Sequence, residues 1–134
     1  MDNVKLLMQM KFPFTQLLGL RLIDAAPDRI AAELIVRDEL CTNPAVLHGV
    51  AMMTLADSLG AYATLLNLSG GRSTTTIESK TNFFAPAPLG SKVLAECTPL
   101  HRGRRTMVWQ TRITSEGGKL LGIVTQTQMV LEPN

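Results

Sequence analysis

The sequence is short of most features that announce a function outright. Of its 134 residues only two are cysteine, Cys41 and Cys97, with no Cys-x-x-Cys spacing, and His48 and His101 are the only histidines that can join them. That set does not make a structural zinc site, so no metal is expected and both thiols are expected to be free, in a reducing compartment. Charge of one sign is lacking too: thirteen Lys and Arg against eleven Asp and Glu leave a formal net charge of +2. Basic residues gather only at Arg102, Arg104 and Arg105, far short of a nucleic-acid footprint. No basic n-region precedes an apolar stretch at the N-terminus, which argues against a signal peptide. The longest apolar run, residues 49–66, is interrupted by Asp57 and two threonines and is too short to span a bilayer. A cytoplasmic protein with no membrane and no nucleic-acid partner is expected.

What is present reads as one domain over residues 1–134, with 46% apolar and 18% charged residues, an ordinary globular balance. Residues 2–10 place Val4, Leu7 and Met8 at helical spacing behind Asp2 or Asn3 as cap, and Pro13 is expected to end that helix. Residues 19–26 and 30–36 read as a hairpin around Pro27-Asp28-Arg29, with Ile30, Ala32, Leu34 and Val36 on one face. Asn43-Pro44 is a helix-start signal. The run 49–66 is apolar on every side, which predicts a helix buried all round. Strands are expected over 74–84, 91–100, 105–114 and 119–131, at turn spacing that suits hairpins and an antiparallel sheet. The predicted fold is α+β: one long central helix wrapped by six antiparallel strands. Six strands do not cover such a helix on every side, so a homodimer is the smallest assembly expected.

Asp57 is the only charge within that helix. A carboxylate among apolar side chains costs several kcal/mol unless it is hydrogen-bonded or lines a cavity. It is either a solvated or backbone-bonded residue at the helix edge or an acid/base or nucleophilic group. His48-Gly49 stands at the helix start, where free N–H groups can polarise a carbonyl oxygen that becomes an oxyanion. Eight residues of helix separate Gly49 from Asp57 by about 12 Å, too far for both to act on one carbonyl carbon within one chain. If they cooperate, they come from different protomers, and a two-fold axis between antiparallel helices would create two composite sites.

These residues, together with Leu55-Ala56-Asp57, Thr76-Ile77-Glu78, Asn82-Phe83-Phe84-Ala85-Pro86-Ala87, Gly90, Gly103-Arg104 and Gly118-Lys119-Leu120, resemble the hotdog-fold acyl-CoA thioesterases of the PaaI type, within the 4-hydroxybenzoyl-CoA thioesterase superfamily. The resemblance runs over residues 14–131. It implies hydrolysis of coenzyme A thioesters by a dimer, or a tetramer built as a dimer of dimers, with no cofactor, since coenzyme A is part of the substrate. It makes Asp57 the catalytic carboxylate, as general base or nucleophile. Gly49 becomes the N–H donor to the thioester oxygen, His48 its neighbour at that oxygen or the sulfur, and Thr76 a hydroxyl that helps place the water, a role for which Thr75 competes. Val50 stands where the family usually has a second glycine, narrowing the helix mouth. Asn43 is one residue closer to the histidine than the family's asparagine.

Arg102, Arg104 and Arg105 suit the phosphates of CoA, and Met52, Met53, Tyr62, Phe83 and Phe84 are apolar enough to line an acyl pocket or to fill the core. Two other readings compete. A hotdog hydratase would carry Asp-x-Asn-Pro closely followed by His, and Cys41-Thr42-Asn43-Pro44 lacks that acid. A non-catalytic acyl-CoA-binding or dimerisation module has no use for an ionisable group in its apolar wall.

Overall fold

The computed structural model describes residues 2–134. Helix α1 (Asn3–Gln9) starts where Asp2 accepts the Lys5 N–H at 2.9 Å. Of its expected apolar face only Leu7 is buried; Met8 is exposed. Pro13 begins a second short helix, α2 (Pro13–Leu18), rather than merely ending the first: its fixed φ suits the first helical position, where no N–H is needed. Gly19, with φ of 86°, closes α2 in the left-handed conformation.

Strands β1 (Arg21–Ala26) and β2 (Arg29–Ile35) form the hairpin, and Ile30, Ala32, Leu34 and Val36 are all buried, as their alternation requires. A 3-10 turn (Asp38–Leu40) and a looped segment come next. Asn43-Pro44 does not start a helix. Its peptide bond is cis, the Pro44 carbonyl accepts the Val46 N–H, and Val46 bridges to Pro88. The helix begins only at Gly49, and α3 runs Gly49–Leu65.

Strands β3 (Ser73–Phe83), β4 (Lys92–Arg102), β5 (Thr106–Ser115) and β6 (Leu120–Leu131) complete one antiparallel six-stranded sheet in the order β1-β2-β4-β5-β6-β3. Two of the expected hairpins are present, β4–β5 and β5–β6. The segment 84–91 is no hairpin turn: it carries the chain across the sheet, because β3 pairs with β6 and β4 with β2. One edge of the sheet is therefore β3, eleven residues long.

The helix packs against the sheet, where Leu55, Leu59 and Ala63 share one buried core with Trp109, Ile113 and Val124. Trp109 is wholly buried and donates its Nε1–H to Thr64 at 2.9 Å, so the ring enters the core without an unpaired donor. The sheet does not wrap the helix completely. Met52, Leu55, Ala56, Leu59 and Ala63 are buried, whereas Val50, Met53, Thr54, Asp57 and Ala61 form a stripe that is half-buried or exposed.

Strand β3 carries a bulge. Its pairing with β6 shifts register between Thr76 and Glu78, leaving Ile77 without a partner. Thr74 and Thr76 turn inward before it; Ser79, Thr81 and Phe83 turn inward after it. One extra residue exchanges even for odd positions, and both halves of the strand face α3.

Candidate active site

Asp57 sits on the open stripe of α3, so the helix supplies a carboxylate that is neither sunk in the core nor free in solvent. Thr76 donates to its Oδ1 at 2.5 Å. Thr75, pointing to the opposite side of β3, makes no such bond. The other oxygen, Oδ2, has no partner among the described residues. Beside the carboxylate opens a cleft of about 500 Å³, whose walls include Phe12, Phe14, Val50, Met53 and Ser79. One wall is α2, docked on α3 by a hydroxyl pair: Ser58 donates to the Thr54 carbonyl at 2.8 Å, and Thr15 meets Ser58 at 3.0 Å. A second cleft of about 450 Å³ shares Phe14, Val50 and Thr54 with the first and reaches His48 and Cys41.

At the helix start His48 is extended and caps α3, its Nδ1 accepting the Val50 N–H at 2.9 Å. A ring nitrogen that accepts carries no proton, so neutral His48 holds its proton on Nε2. The Gly49 N–H has no acceptor among the described residues. Its missing side chain serves packing: a Cβ there would lie 2.9 Å from the Phe83 ring. Phe83, Phe84, Met52 and Gly49 line a separate opening of about 390 Å³ at this end of the helix. Along α3 the Gly49 end and Asp57 are two turns apart, about 12 Å, and one chain does not bring them together.

Other candidates fall elsewhere. Asn43 lies exposed on the loop before His48 and makes no side-chain hydrogen bond among the described residues. Tyr62 is core, not pocket: it is buried, edge-on to Phe12 at 5.3 Å, and burial pushes its hydroxyl above the ordinary range. Arg104 and Arg105 are exposed on the β4–β5 turn. Arg105 is two residues from Met107, which pairs with Gln128, itself opposite Thr76; the turn thus starts about 7 Å along the sheet from the Thr76 row. Arg102 is engaged otherwise, donating to the Pro27 carbonyl at 3.4 Å and the Asn67 side chain at 3.5 Å. Among the described residues no three His, Cys, Asp or Glu side chains come together as metal ligands, and no helix is long and apolar enough to cross a membrane.

Two residues of this neighbourhood are not prominent in the sequence, Gln126 and Gln128. Both are fully buried on the helix-facing side of β6. The sequence does carry a signal for them: positions 124, 126, 128 and 130 share a face, and between two inward valines stand two amides.

Residues 45–121, over half the chain, match the family model described as the Thioesterase superfamily, and the chain belongs to that family. It is 33% identical over 103 residues to the 1,4-dihydroxy-2-naphthoyl-CoA hydrolase of Escherichia coli, covering 77% of this chain and 75% of the relative. Among solved structures it superposes on a thioesterase of Haemophilus influenzae with a TM-score of 0.85 at 28% identity, over 96% of this chain and 87% of the other. The phenylacetic acid degradation protein PaaI of Thermus thermophilus gives 0.80 at 27% identity, over 88% and 98%. The long helix on a six-stranded antiparallel sheet is the hotdog fold of these enzymes, and this protein is a thioester hydrolase of the PaaI-like kind.

Proposed function

We propose that the protein hydrolyses acyl-CoA thioesters to the free acid and CoA, with Asp57 as the catalytic carboxylate. The observation that carries this reading is the placement of Asp57: a carboxylate on the open stripe of α3, one oxygen held by Thr76 and the other unpartnered, at the wall of a cleft large enough for an acyl chain. Oδ2 is the oxygen available either to take a proton from a water whose oxygen bonds to the thioester carbon, or to bond to that carbon itself. The C–S bond breaks and the CoA thiolate leaves; the first route gives the free acid directly, and the second gives a mixed anhydride that a water then cleaves to the acid and free Asp57.

The carbonyl oxygen needs a donor as negative charge grows on it. The Gly49 N–H is a free one, and it serves an Asp57 of a second copy, in a dimer whose two α3 helices run antiparallel across a two-fold axis. Supporting this are the distance between Gly49 and Asp57 within one helix and the exposed apolar residues Phe14, Val50, Phe83 and Phe84 beside both. His48, with its proton on Nε2, is a second donor at the same mouth. The acyl group lies in the cleft under Phe12 and Phe14, and the nucleotide of CoA runs outward to Arg104 and Arg105.

The test is a panel of acyl-CoA esters followed by free-thiol release, with Asp57→Asn beside the parent. Cleavage of at least one ester, and a loss of about 10²- to 10⁴-fold in the variant with its fold intact, is expected. An Asp57→Asn variant at near-parental rate would overturn the role of Asp57. Cleavage of other thioesters but no CoA ester would overturn the substrate class.

A further inference from the structure

An amide buried without hydrogen bonds costs several kcal/mol, and β6 buries two within reach of Asp57. Each end of the Gln128 amide has a partner: its Nε2 donates to Thr76 Oγ1 at 2.6 Å, and its Oε1 lies 2.9 Å from Thr74 Oγ1. Thr76 in turn donates to Asp57 Oδ1. The four side chains make a directed chain. A hydroxyl has one proton to give. With the Gln128 N–H aimed at the Thr76 oxygen and an acceptor-only carboxylate on its other side, that proton goes to Asp57. The direction depends on which end of the amide faces Thr76. Were it reversed, Oε1 would compete for the Thr76 proton and Asp57 would lose its donor. Thr74 has one proton for two acceptors at 2.9 Å, the Gln128 Oε1 and the Met129 carbonyl; given to Oε1 it holds the amide this way round, and only then are the contacts from Thr74 through Gln128 and Thr76 to Asp57 all donor–acceptor pairs.

Gln126 grips the same aspartate by its backbone, donating to the Asp57 carbonyl at 3.4 Å. It occupies the space left by Gly60, where a Cβ would lie 2.3 Å from the amide nitrogen. Strand β6, which lines no cleft wall with Asp57, thus reaches both the main chain and, through Thr76, the side chain of that residue.

We propose that Gln128 is a positioning residue for thioester hydrolysis: it acts through Thr76, setting the direction of the Thr76 hydroxyl so that it donates to Asp57 Oδ1 and leaves Oδ2 for water or substrate. The proposal rests on Asp57 being the catalytic carboxylate. It predicts that Gln128 changes the chemical step and not substrate binding, and that it has no effect of its own once the Thr76 hydroxyl is gone.

The experiment is a double-mutant cycle of Gln128→Met and Thr76→Val, measured as kcat and KM on one cleaved acyl-CoA. Each single variant is expected to lose about 10- to 100-fold in kcat with KM within about twofold, since a group tied to the reacting carboxylate acts in the transition state. The double variant should be no slower than Thr76→Val alone. Additive losses, a change confined to KM, or an unchanged kcat in Gln128→Met would overturn the proposal. If Gln128→Met does not fold, Thr74→Val takes its place in the cycle, because it frees the amide to turn without emptying the core.

A readout independent of turnover is the carboxyl ¹³C resonance of Asp57, assigned by its disappearance in Asp57→Asn. It should move in Gln128→Met and in Thr76→Val, and move no further in the double variant; a resonance that stays in place in Gln128→Met overturns the proposal. An Asp57→Asn enzyme with parental activity would overturn it from the other side. The two failures are told apart because in the second the resonances remain coupled while catalysis does not depend on them.

Discussion

Burial pushes the Cys97 thiol up to about 12, and its side chain is wholly enclosed between sheet and helix, so a thiolate is absent at working pH and no reagent reaches it. In a Cys41→Ser variant the native protein should therefore give no reaction with a thiol reagent at pH 8, and one thiol per chain after denaturation. A fast-reacting Cys97 would mean that the core opens readily. The arginines of the β4–β5 turn divide on the same criterion of surroundings. Arg102 is tied to Pro27 and Asn67, whereas Arg104 and Arg105 are exposed and are the pair to neutralise. Together their loss should raise KM for acyl-CoA with kcat nearly constant, and the effect should fade with salt and vanish on a short thioester without phosphates. Equal losses on both substrates would end the phosphate role.

Among the elements, α3 and β6 meet most closely where Gly60 faces Gln126. Both residues are buried, so Gly60→Ala pushes a methyl group into an amide with no room to withdraw. A destabilisation of about 1–3 kcal/mol is expected, read as a lower Tm or denaturation midpoint; Gly60→Ala in a Gln126→Ala background should recover part of it. Alternation and one unbroken apolar run made these elements legible: the inward face of β2 follows from the alternation of residues 30–36, and the span of α3 from the run 49–66, apolar on every side. The departures have local causes. Pro13 fits a helix start as well as an end, and Asn43-Pro44 adopts a loop because Val46 and Leu47 bond to neighbouring backbone. Asp57 stands out as a lone charge in an apolar helix. Of its partners, Thr76 is legible through the family resemblance alone, and Gln126 and Gln128 only as two amides on the inward face of β6, because strand pairing and a bulge link positions far apart in the chain.

For the molecule as a whole, one edge of the sheet is β3, a long strand with one row of backbone groups unpaired in the sheet, flanked by exposed Ile77, Phe83 and Phe84. Such an edge is ordinarily covered or blunted, and the second copy proposed to complete the site would cover it. The protein should therefore run as a dimer or larger assembly in light scattering. Mixing Asp57→Ala chains with Gly49→Pro chains, each inactive alone, should restore part of the activity once subunits exchange, because one of the two composite sites is then intact. No recovery, with exchange verified, would count against sites shared between chains.

The unpaired Ile77 gives β3 a phase slip. Upstream of it the strand is keyed to the carboxylate through Thr74 and Thr76; downstream it is keyed to the helix mouth through Phe83 against Gly49. Deletion of Ile77 would restore plain alternation: Thr76 keeps Gln128 and Glu78 keeps Thr127 as partners, so Ser79, Thr81 and Phe83 stay inward and Asp57 keeps its hydroxyl donor. What the deletion removes is the local bend and added twist that a bulge gives its strand, and with it the angle between the half keyed to the carboxylate and the half keyed to the helix mouth.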